Sequence, residues 1–470
     1  MNKSKLVQLF KVFDRQEKEL LRKWMESPAH NVNGNVDKLF EYLFSRRKLT
    51  PVSTSRYKAF VYVFGQVEYD DPKMKHLMNI SVFILEDFIG FLKYKKSSFF
   101  QKKALISFCR EHKLEKYAKQ YIDKTQKTQK KQVIQNSKYY LHQYELEEEV
   151  FEQEGTSIRR ENTNLQAIFD NHYIVFMLET LRHACTAITH QNLYKLNYKI
   201  PLLEQVLLDA KQEEYLKIPA LQMYYHSYMA LVNSEEGVHF EELKKLLLFN
   251  KQILPPTEIK SIYIIAINYC VKRLNTGAEE YVRAVFELYQ YGLANDILVN
   301  EEGELSRFAY KNIATIAIRL EEFEWSQQFM EAYTGLLKKE HQKNYRRYAQ
   351  VKLFFAQKNY DKCLEELAQV EFDDLFLNIG AKTMLLKIYY EQEHFDALES
   401  LLVSFQRFLQ RKTMIAYQQK IYSNMLLLVD KLMKLAYFDK KEIEVLRAEI
   451  ETTNPLTERP WLLAQLDKLQ

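Results

Sequence analysis

Glycine and proline are scarce in this chain, with only ten glycines and nine prolines among 470 residues. Together they make up about 4 % of the sequence, against about 12 % in an average protein. Hairpin turns and phosphate-binding loops depend on these residues, so few such elements are expected. With 47 % apolar and 14 % aromatic residues, the chain can nevertheless bury a large core. The composition therefore predicts a globular protein built from long helices.

Long apolar runs are also lacking. The most apolar stretches, residues 173–178 and 262–267, are far shorter than the roughly 20 residues that span a bilayer. The N-terminal residues contain no apolar segment followed by a small-residue cleavage site, so no signal peptide is expected. Four widely separated cysteines are typical of buried free thiols in a reducing compartment. We therefore expect a cytoplasmic protein without a membrane partner.

Motifs for catalysis are missing from the sequence. It has no G-x-S-x-G elbow, no P-loop and no G-x-G-x-x-G fingerprint. His172, Glu179, His183 and His190 share one face of a predicted helix, but the outer histidines would lie about 27 Å apart. One pair supplies two ligands where zinc needs three or four. The sequence thus predicts a non-enzyme that binds no metal and needs no cofactor.

Several residues predict where helices begin. Asp14 with Glu17, and Thr276 with Glu279, have the spacing of capping boxes. Asp71 followed by Pro72 predicts an N-cap with proline at the first helical position. Similar signals recur along the chain, which predicts helices almost throughout.

A regular pattern marks the second half of the chain. A ring side chain recurs with a small or aliphatic residue three positions later, and these second members lie 41, 42, 37 and 34 residues apart. The pairs are Phe240/Leu243, Tyr281/Ala284, Phe323/Ser326, Tyr360/Cys363 and His394/Ala397. Such periods are typical of helix-turn-helix repeats, whose units stack because none can bury its apolar face alone. The sequence predicts an α-solenoid preceded by a small basic helical domain.

Residues 320–326 (LEEFEWS), 355–364 (FAQKNYDKCL) and 393–398 (EHFDAL) resemble the helix A/helix B junction of tetratricopeptide repeats. The resemblance covers about residues 215–410. It implies that the small residue lets paired helices approach and that helix A lines a concave groove holding extended peptides. Eight residues fall on the predicted first helices and could clamp an acidic or C-terminal peptide; ordinary surface polarity is the alternative. They are Lys311, Asn312, Arg319, Arg346, Arg347, Gln350, Asn378 and Lys382.

The N-terminal part resembles an uncharacterised family of helical bacterial proteins. The similarity lies in residues 27–43, 71–80 and 85–88, and residues 36–92 also resemble the winged-helix part of repeat-bearing bacterial transcriptional activators. No wing hairpin is predicted after Leu92. The sequence therefore predicts a division of the chain into three segments. Residues 1–97 form a basic helical domain, residues 98–155 form a long charged helical hairpin, and residues 156–470 form repeats with a C-terminal cap.

Charge is distributed unevenly along the chain. Residues 1–135 contain 28 basic and 14 acidic residues, while the remainder has 39 basic and 48 acidic residues. This uneven distribution of charge favours a basic surface that binds a polyanion. The alternative is that the basic and acidic halves of the chain attract each other. Seven cations near Tyr42, Tyr57 and Tyr62 are the best candidates for nucleic-acid binding, with a solvated surface as the alternative. They are Arg46, Arg47, Lys48, Arg56, Lys58, Lys73 and Lys75.

These observations favour a non-catalytic scaffold that binds a partner protein or peptide through a helical-repeat groove. The alternative is a nucleic-acid-binding regulator that uses the basic N-terminal domain, with the repeats as effector or oligomerisation module. The sequence predicts no particular oligomeric state.

Overall fold

A computed structural model describes residues 1–154, 163–194, 196–233, 235–249, 252–368, 374–411, 416–435 and 440–469. Every regular element in these ranges is a helix, apart from one isolated antiparallel bridge between Val299 and Leu305. The predicted all-α class is confirmed. None of the described helices combines the length and the apolar character needed to cross a bilayer.

The chain forms two compact units, an N-terminal unit (Met1–Glu179) and a C-terminal unit (Thr180–Gln470). The predicted boundary at residue 97 stays a prediction, and the one at residue 155 lies outside the described residues. The four cysteines are buried free thiols, as predicted.

Eight described helices and the first half of a ninth make up the N-terminal unit. They are α1 Lys5–Val12, α2 Arg15–Glu26, α3 Gly34–Phe44, α4 Arg56–Phe64, α5 Asp71–Lys96, α6 Ser98–Glu111, α7 Glu115–Gln129, α8 Ser137–Glu154 and α9 Leu165–Tyr194.

One apolar core joins the first five of these helices. Phe10 of α1, Phe40 of α3, Phe60 of α4 and Phe88 of α5 all belong to it and are almost completely buried. Residues 36–92 contain α3, α4 and most of α5 and no strand, and α6 follows α5 after a single residue. The N-terminal core is therefore a helical assembly without a wing hairpin.

The structure tests the predicted caps. At α2, the Asp14 carboxylate accepts a bond from the Glu17 amide at 2.7 Å and the reciprocal bond is also present, so this capping box is confirmed. At α5 the cap is Asp70, one residue earlier than predicted, because its carboxylate accepts from the Lys73 amide at 2.8 Å. The prediction for Thr276 is wrong, since its hydroxyl bonds back to the carbonyl of the preceding helix.

Residues 98–154 form three helices, α6, α7 and α8, where a hairpin was predicted. The acidic side chains of α8 pair with α6: Lys103 lies 3.3 Å from Glu145, and Arg110 contacts Glu149. Among the described side chains, they form no ion pair with the basic run near the end of α7. Because the segment contains a third helix, α8, its acidic side chains contact the cations of α6.

Fifteen described α-helices follow α9 in the C-terminal unit. They are α10 Leu203–Asp209, α11 Glu213–Leu216, α12 Pro219–Val232, α13 Val238–Phe249, α14 Pro256–Asn275, α15 Tyr281–Ala294, α16 Arg307–Arg319, α17 Phe323–Tyr333, α18 Lys339–Ala356, α19 Tyr360–Ala368, α20 Leu375–Glu391, α21 Phe395–Arg411, α22 Ala416–Lys434, α23 Lys440–Thr452 and α24 Arg459–Asp467, with a short 3-10 helix at Thr334–Leu336.

From α12 to α21 the helices pack as hairpins. Helices α12, α14, α16, α18 and α20, here called the first helices, each pack on the helix that follows, and those partners are called the second helices. Three neighbouring first helices, α16, α18 and α20, also pack on one another in sequence, as do α12 and α14. The predicted ring-and-small pairs lie at or next to the start of the second helices, where Ser326 and Cys363 are completely buried.

A common turn joins several hairpins. Glu321, Lys358 and Glu393 all adopt a left-handed conformation with φ between 56° and 59°. In each turn, the amide of the residue that follows donates to the carbonyl five residues before it, which is the Schellman arrangement. The Asn359 amide, for example, donates to the Phe354 carbonyl at 2.9 Å. Lys113, between α6 and α7, makes the same turn. The hairpin geometry therefore also occurs in the N-terminal unit.

Ion pairs connect successive hairpins at the repeat spacing. Arg273 reaches Glu235 at 2.6 Å across 38 residues, and Arg283 reaches Glu322 at 2.8 Å across 39. Lys244 on α13 contacts Glu287 on α15 at 2.6 Å, 43 residues away. Side chains of successive hairpins thus contact each other at separations of 38 to 43 residues.

Candidate binding surfaces

A cleft of about 700 Å³ opens in the C-terminal unit. The second half of α9, from Arg182 to His190, and the first helices α12 and α14 line it. Its lining on α14 extends from Thr257 to Lys272, a length of roughly 22 Å at 1.5 Å per residue. Ile264, in the wall of this cleft, is 42 % exposed. The cleft is long enough for an extended peptide segment of several residues.

Several polar groups of this cleft are paired with other groups of the chain. The Tyr224 hydroxyl donates to the Glu258 carboxylate at 2.5 Å, and burial together with this bond raises the pKa of Tyr224. The Cys185 thiol faces the Tyr224 carbonyl at 3.7 Å, and burial raises the pKa of this thiol to about 12. A protonated thiol is a poor nucleophile. These features suit the cleft to binding a ligand.

A row of three lysines lies on α16, α18 and α20. Lys352 donates to the Thr315 hydroxyl at 3.3 Å, and its charge interacts with those of Lys311 and Lys387. Burial lowers the pKa of the Lys352 ammonium to about 8, the Glu458 carboxylate opposes the shift, and the two flanking lysines add to it. Burial also lowers the pKa of Lys311. We call Lys311, Lys352 and Lys387 the lysine row.

Close helix packing positions this row. Tyr348 on α18 packs against Gly380 on α20, where an added Cβ would come within 3.0 Å of the Tyr348 hydroxyl and two of its ring carbons. Lys352 follows Tyr348 by one helical turn, which places it on the same face of α18. A glycine at residue 380 therefore lets the two first helices approach beside the row.

The C-terminal segment reaches one end of the lysine row. Glu458, just before α24, forms an ion pair with Lys387. Beside it, the Trp461 indole donates to the Glu391 carboxylate of α20 at 2.7 Å. The chain's own carboxylate thus occupies the α20 end, whereas Lys311 and Lys352 form no ion pair within the described ranges.

The eight residues predicted for a peptide groove all lie on α16, α18 or α20 but do not share one face. Four contact a second helix or the turn that leads into one. Asn312 bonds to Tyr289, Arg319 to Glu279, Arg347 to Glu366, and Lys382 lies over the Phe408 ring. Arg346 is exposed, and Gln350 and Asn378 are half-buried. Of the eight, Lys311 belongs to the lysine row.

The seven cations predicted for nucleic-acid binding divide into two groups. Arg56 and Lys75 both contact the Asp71 carboxylate, at 3.2 and 2.7 Å, and Lys73 lies over the Phe64 ring while Lys58 is exposed. The remaining three line a separate pocket of about 280 Å³ together with two lysines that the sequence analysis missed. We call this site the basic pocket; its cations are Lys11, Lys18, Arg46, Arg47 and Lys48.

No family model, curated protein or solved structure matches the chain. The candidate surfaces therefore rest on their own geometry.

The histidines considered for a metal have other contacts. His172 stacks on Tyr144 at 4.9 Å, and His190 is bonded to the Tyr198 hydroxyl at 2.8 Å. Glu179 accepts a bond from Ser137. Within the described residues, no three side chains of the metal-binding types converge.

The sequence analysis missed Lys352 and Lys387 as well as Lys11 and Lys18. The first two occupy equivalent positions on successive first helices, 35 residues apart, and the repeat period was a usable signal for them. No comparable signal connects Lys11 and Lys18 with residues 46–48, because folding of α1 to α3 alone brings them together.

Proposed function

We propose that this protein is a non-catalytic scaffold that binds an acidic, extended segment of a partner protein along a tetratricopeptide-like superhelix. The supporting fold is the succession of helical hairpins from α12 to α21, linked by ion pairs at repeat spacing. In such an arrangement the first helices form the inner surface, and the cleft on α12 and α14 supplies open space there.

The lysine row is the observation that carries this proposal. Two half-buried ammonium groups, Lys311 and Lys352, form no direct ion pair among the described side chains. The charges of Asp374 and Glu458 act on them only from a greater distance. Burial of like charges is unfavourable unless an anion compensates them. At the third lysine, Glu458 of the same chain supplies that anion. A carboxylate of a bound peptide would do the same for the other two.

A peptide-binding measurement tests the proposal. Fluorescent extended peptides rich in aspartate and glutamate would be titrated against the full chain, with basic peptides of equal length as reference. Lys352→Ala should weaken acidic-peptide binding about tenfold, because a charge-assisted hydrogen bond is worth about 1.5–3 kcal/mol.

The matched control is Lys362→Ala, since Lys362 is an exposed lysine on the neighbouring second helix α19. It should leave peptide affinity unchanged. Equal binding of acidic and basic peptides, or equal losses in the two variants, would contradict the proposal.

A second candidate function is nucleic-acid-binding regulation through the N-terminal unit, with the repeats as effector or oligomerisation module. The basic pocket favours it, because five cations from two helices and one loop surround a single opening.

A further inference from the structure

The cations of the N-terminal unit fall into two classes according to their partners. Arg56 and Lys75 share the Asp71 carboxylate, and Lys96 contacts Glu17 at 2.8 Å. The five cations of the basic pocket, by contrast, form no ion pair within the part of the chain that the structure describes, and no acidic side chain lines their pocket. In this pocket, positive charge is concentrated and has no ion-pair partner among the described residues.

Helix ends explain only some of this charge. Lys11 lies in the last turn of α1, and residues 46–48 follow the C-terminus of α3, where cations are favoured. Lys18 lies near the N-terminus of α2, where the helix dipole disfavours a cation. Its ammonium nevertheless lies 5.4 Å from the Phe10 ring, in the wall of the pocket. The helix dipole therefore does not account for the position of Lys18.

The pocket has a shape that strengthens its field. Phe10, Leu43 and Phe44 contribute apolar walls between the cations. Low-dielectric walls around like charges focus the potential and attract anions from solution. A volume of about 280 Å³ can admit a single phosphate group with part of its sugar.

An exposed aromatic ring adjoins the pocket. The Arg46 guanidinium lies 4.2 Å from the Tyr42 ring, and the Tyr62 ring lies 5.4 Å from that same ring. Tyr42 itself is buried, but Tyr62 is 47 % exposed. Arg46 and Tyr62 are therefore at most about 10 Å apart. Cations beside an open aromatic face are the combination that binds unpaired nucleotides.

We propose that the N-terminal unit binds single-stranded nucleic acid, with a backbone phosphate in the basic pocket and a neighbouring base stacked on Tyr62. The proposal deepens the second candidate function and is independent of peptide binding in the C-terminal unit. A duplex presents phosphates but keeps its bases stacked inside, so it cannot use Tyr62.

Fluorescence anisotropy with the full chain tests this site. The probes are a labelled single-stranded RNA of about 12 nucleotides, the matching duplex, and inorganic polyphosphate as competitor, each over about 50 to 300 mM KCl. Arg46→Gln/Arg47→Gln should lower single-strand affinity about tenfold and reduce the slope of log K against log salt by about 1.4. Tyr62→Ala should weaken the single strand several-fold and leave competition by polyphosphate unchanged.

The matched control is Arg56→Gln/Lys75→Gln, which removes the same number of charges from cations that already have a carboxylate. It should change the affinity less than twofold. Thermal unfolding of each variant separates lost binding from lost folding. Absence of single-strand binding, equal losses in the control, preference for the duplex, or no effect of Tyr62→Ala would overturn the proposal. None of these results bears on the acidic-peptide measurement.

Discussion

Two histidines meet at their Nδ1 atoms between α12 and the first turn of α13. His226 and His239 lie 3.0 Å apart, an arrangement in which one neutral ring donates and the other accepts. Burial, and then the charge of His239, lower the pKa of His226 to about 4, and burial also lowers the pKa of His239. The lowered pKa values favour uncharged rings at neutral pH.

This pair predicts acid sensitivity. An unfolded histidine titrates near pH 6.5, so between about pH 6.5 and 4 the unfolded chain binds a proton that the folded state excludes. Stability is present above that range and is lost as the pH falls through it. Urea unfolding should show a free energy of unfolding lower by about 1 to 2 kcal/mol at pH 5 than at pH 7 from His226 alone, the lower figure allowing for the partial exposure of the ring.

His226→Gln should remove part of that difference, and His76→Gln, at an exposed histidine of α5, should not. An unchanged pH dependence in the His226 variant would show that this ring does not control it.

At the scale of elements, the turns between helices contain local strain. Lys358 connects α18 to α19 with φ of 56°, a conformation that glycine adopts without steric cost. Its neighbour Gln357 has a right-handed conformation with φ of −78°. The two positions are adjacent and both exposed, so they form a matched pair.

Lys358→Gly should stabilise the chain by about 0.5–1 kcal/mol, since removing the left-handed penalty outweighs the extra flexibility of the unfolded chain. Gln357→Gly should destabilise it by a similar amount. The midpoint of urea unfolding measures both changes. A destabilised Lys358 variant would mean that its side chain stabilises the turn in another way.

At the scale of the whole molecule, the hydrophobic cores are separate. Leu466 of α24 belongs to a cluster with residues of α20 to α23, and Leu39 of α3 belongs to the core of α1 to α5. Both leucines are completely buried. The two clusters share no residue, so damage to one should remain local.

Leu466→Ala should destabilise its cluster by about 2–5 kcal/mol through the cavity that it leaves. Hydrogen exchange measured by mass spectrometry should show lost protection in α20 to α24 and unchanged protection in residues 1–92. Leu39→Ala should give the reverse pattern. Uniform loss of protection in either variant would show that the chain unfolds as one cooperative unit.

Local patterns made much of the fold predictable. Asp14 with Glu17 marked a helix start because a cap is formed by residues three positions apart. The spacing of Ser326 and Cys363 located second helices because helical periodicity links residues near in sequence. The capping box predicted at Thr276 was wrong for the same reason. A hydroxyl that can cap the start of a helix can also donate to a carbonyl of the preceding helix.

The helical class and the helical hairpins could be predicted from the amino-acid sequence alone, because both arise from interactions within a few residues. Only the tertiary structure decided which charges are compensated. Arg56 forms an ion pair with Asp71, whereas Arg46 lies in the same pocket as Lys18. Lys387 forms an ion pair with Glu458, whereas Lys352 donates a hydrogen bond to the Thr315 hydroxyl. These outcomes depend on how helices distant in sequence pack, and no local pattern records that.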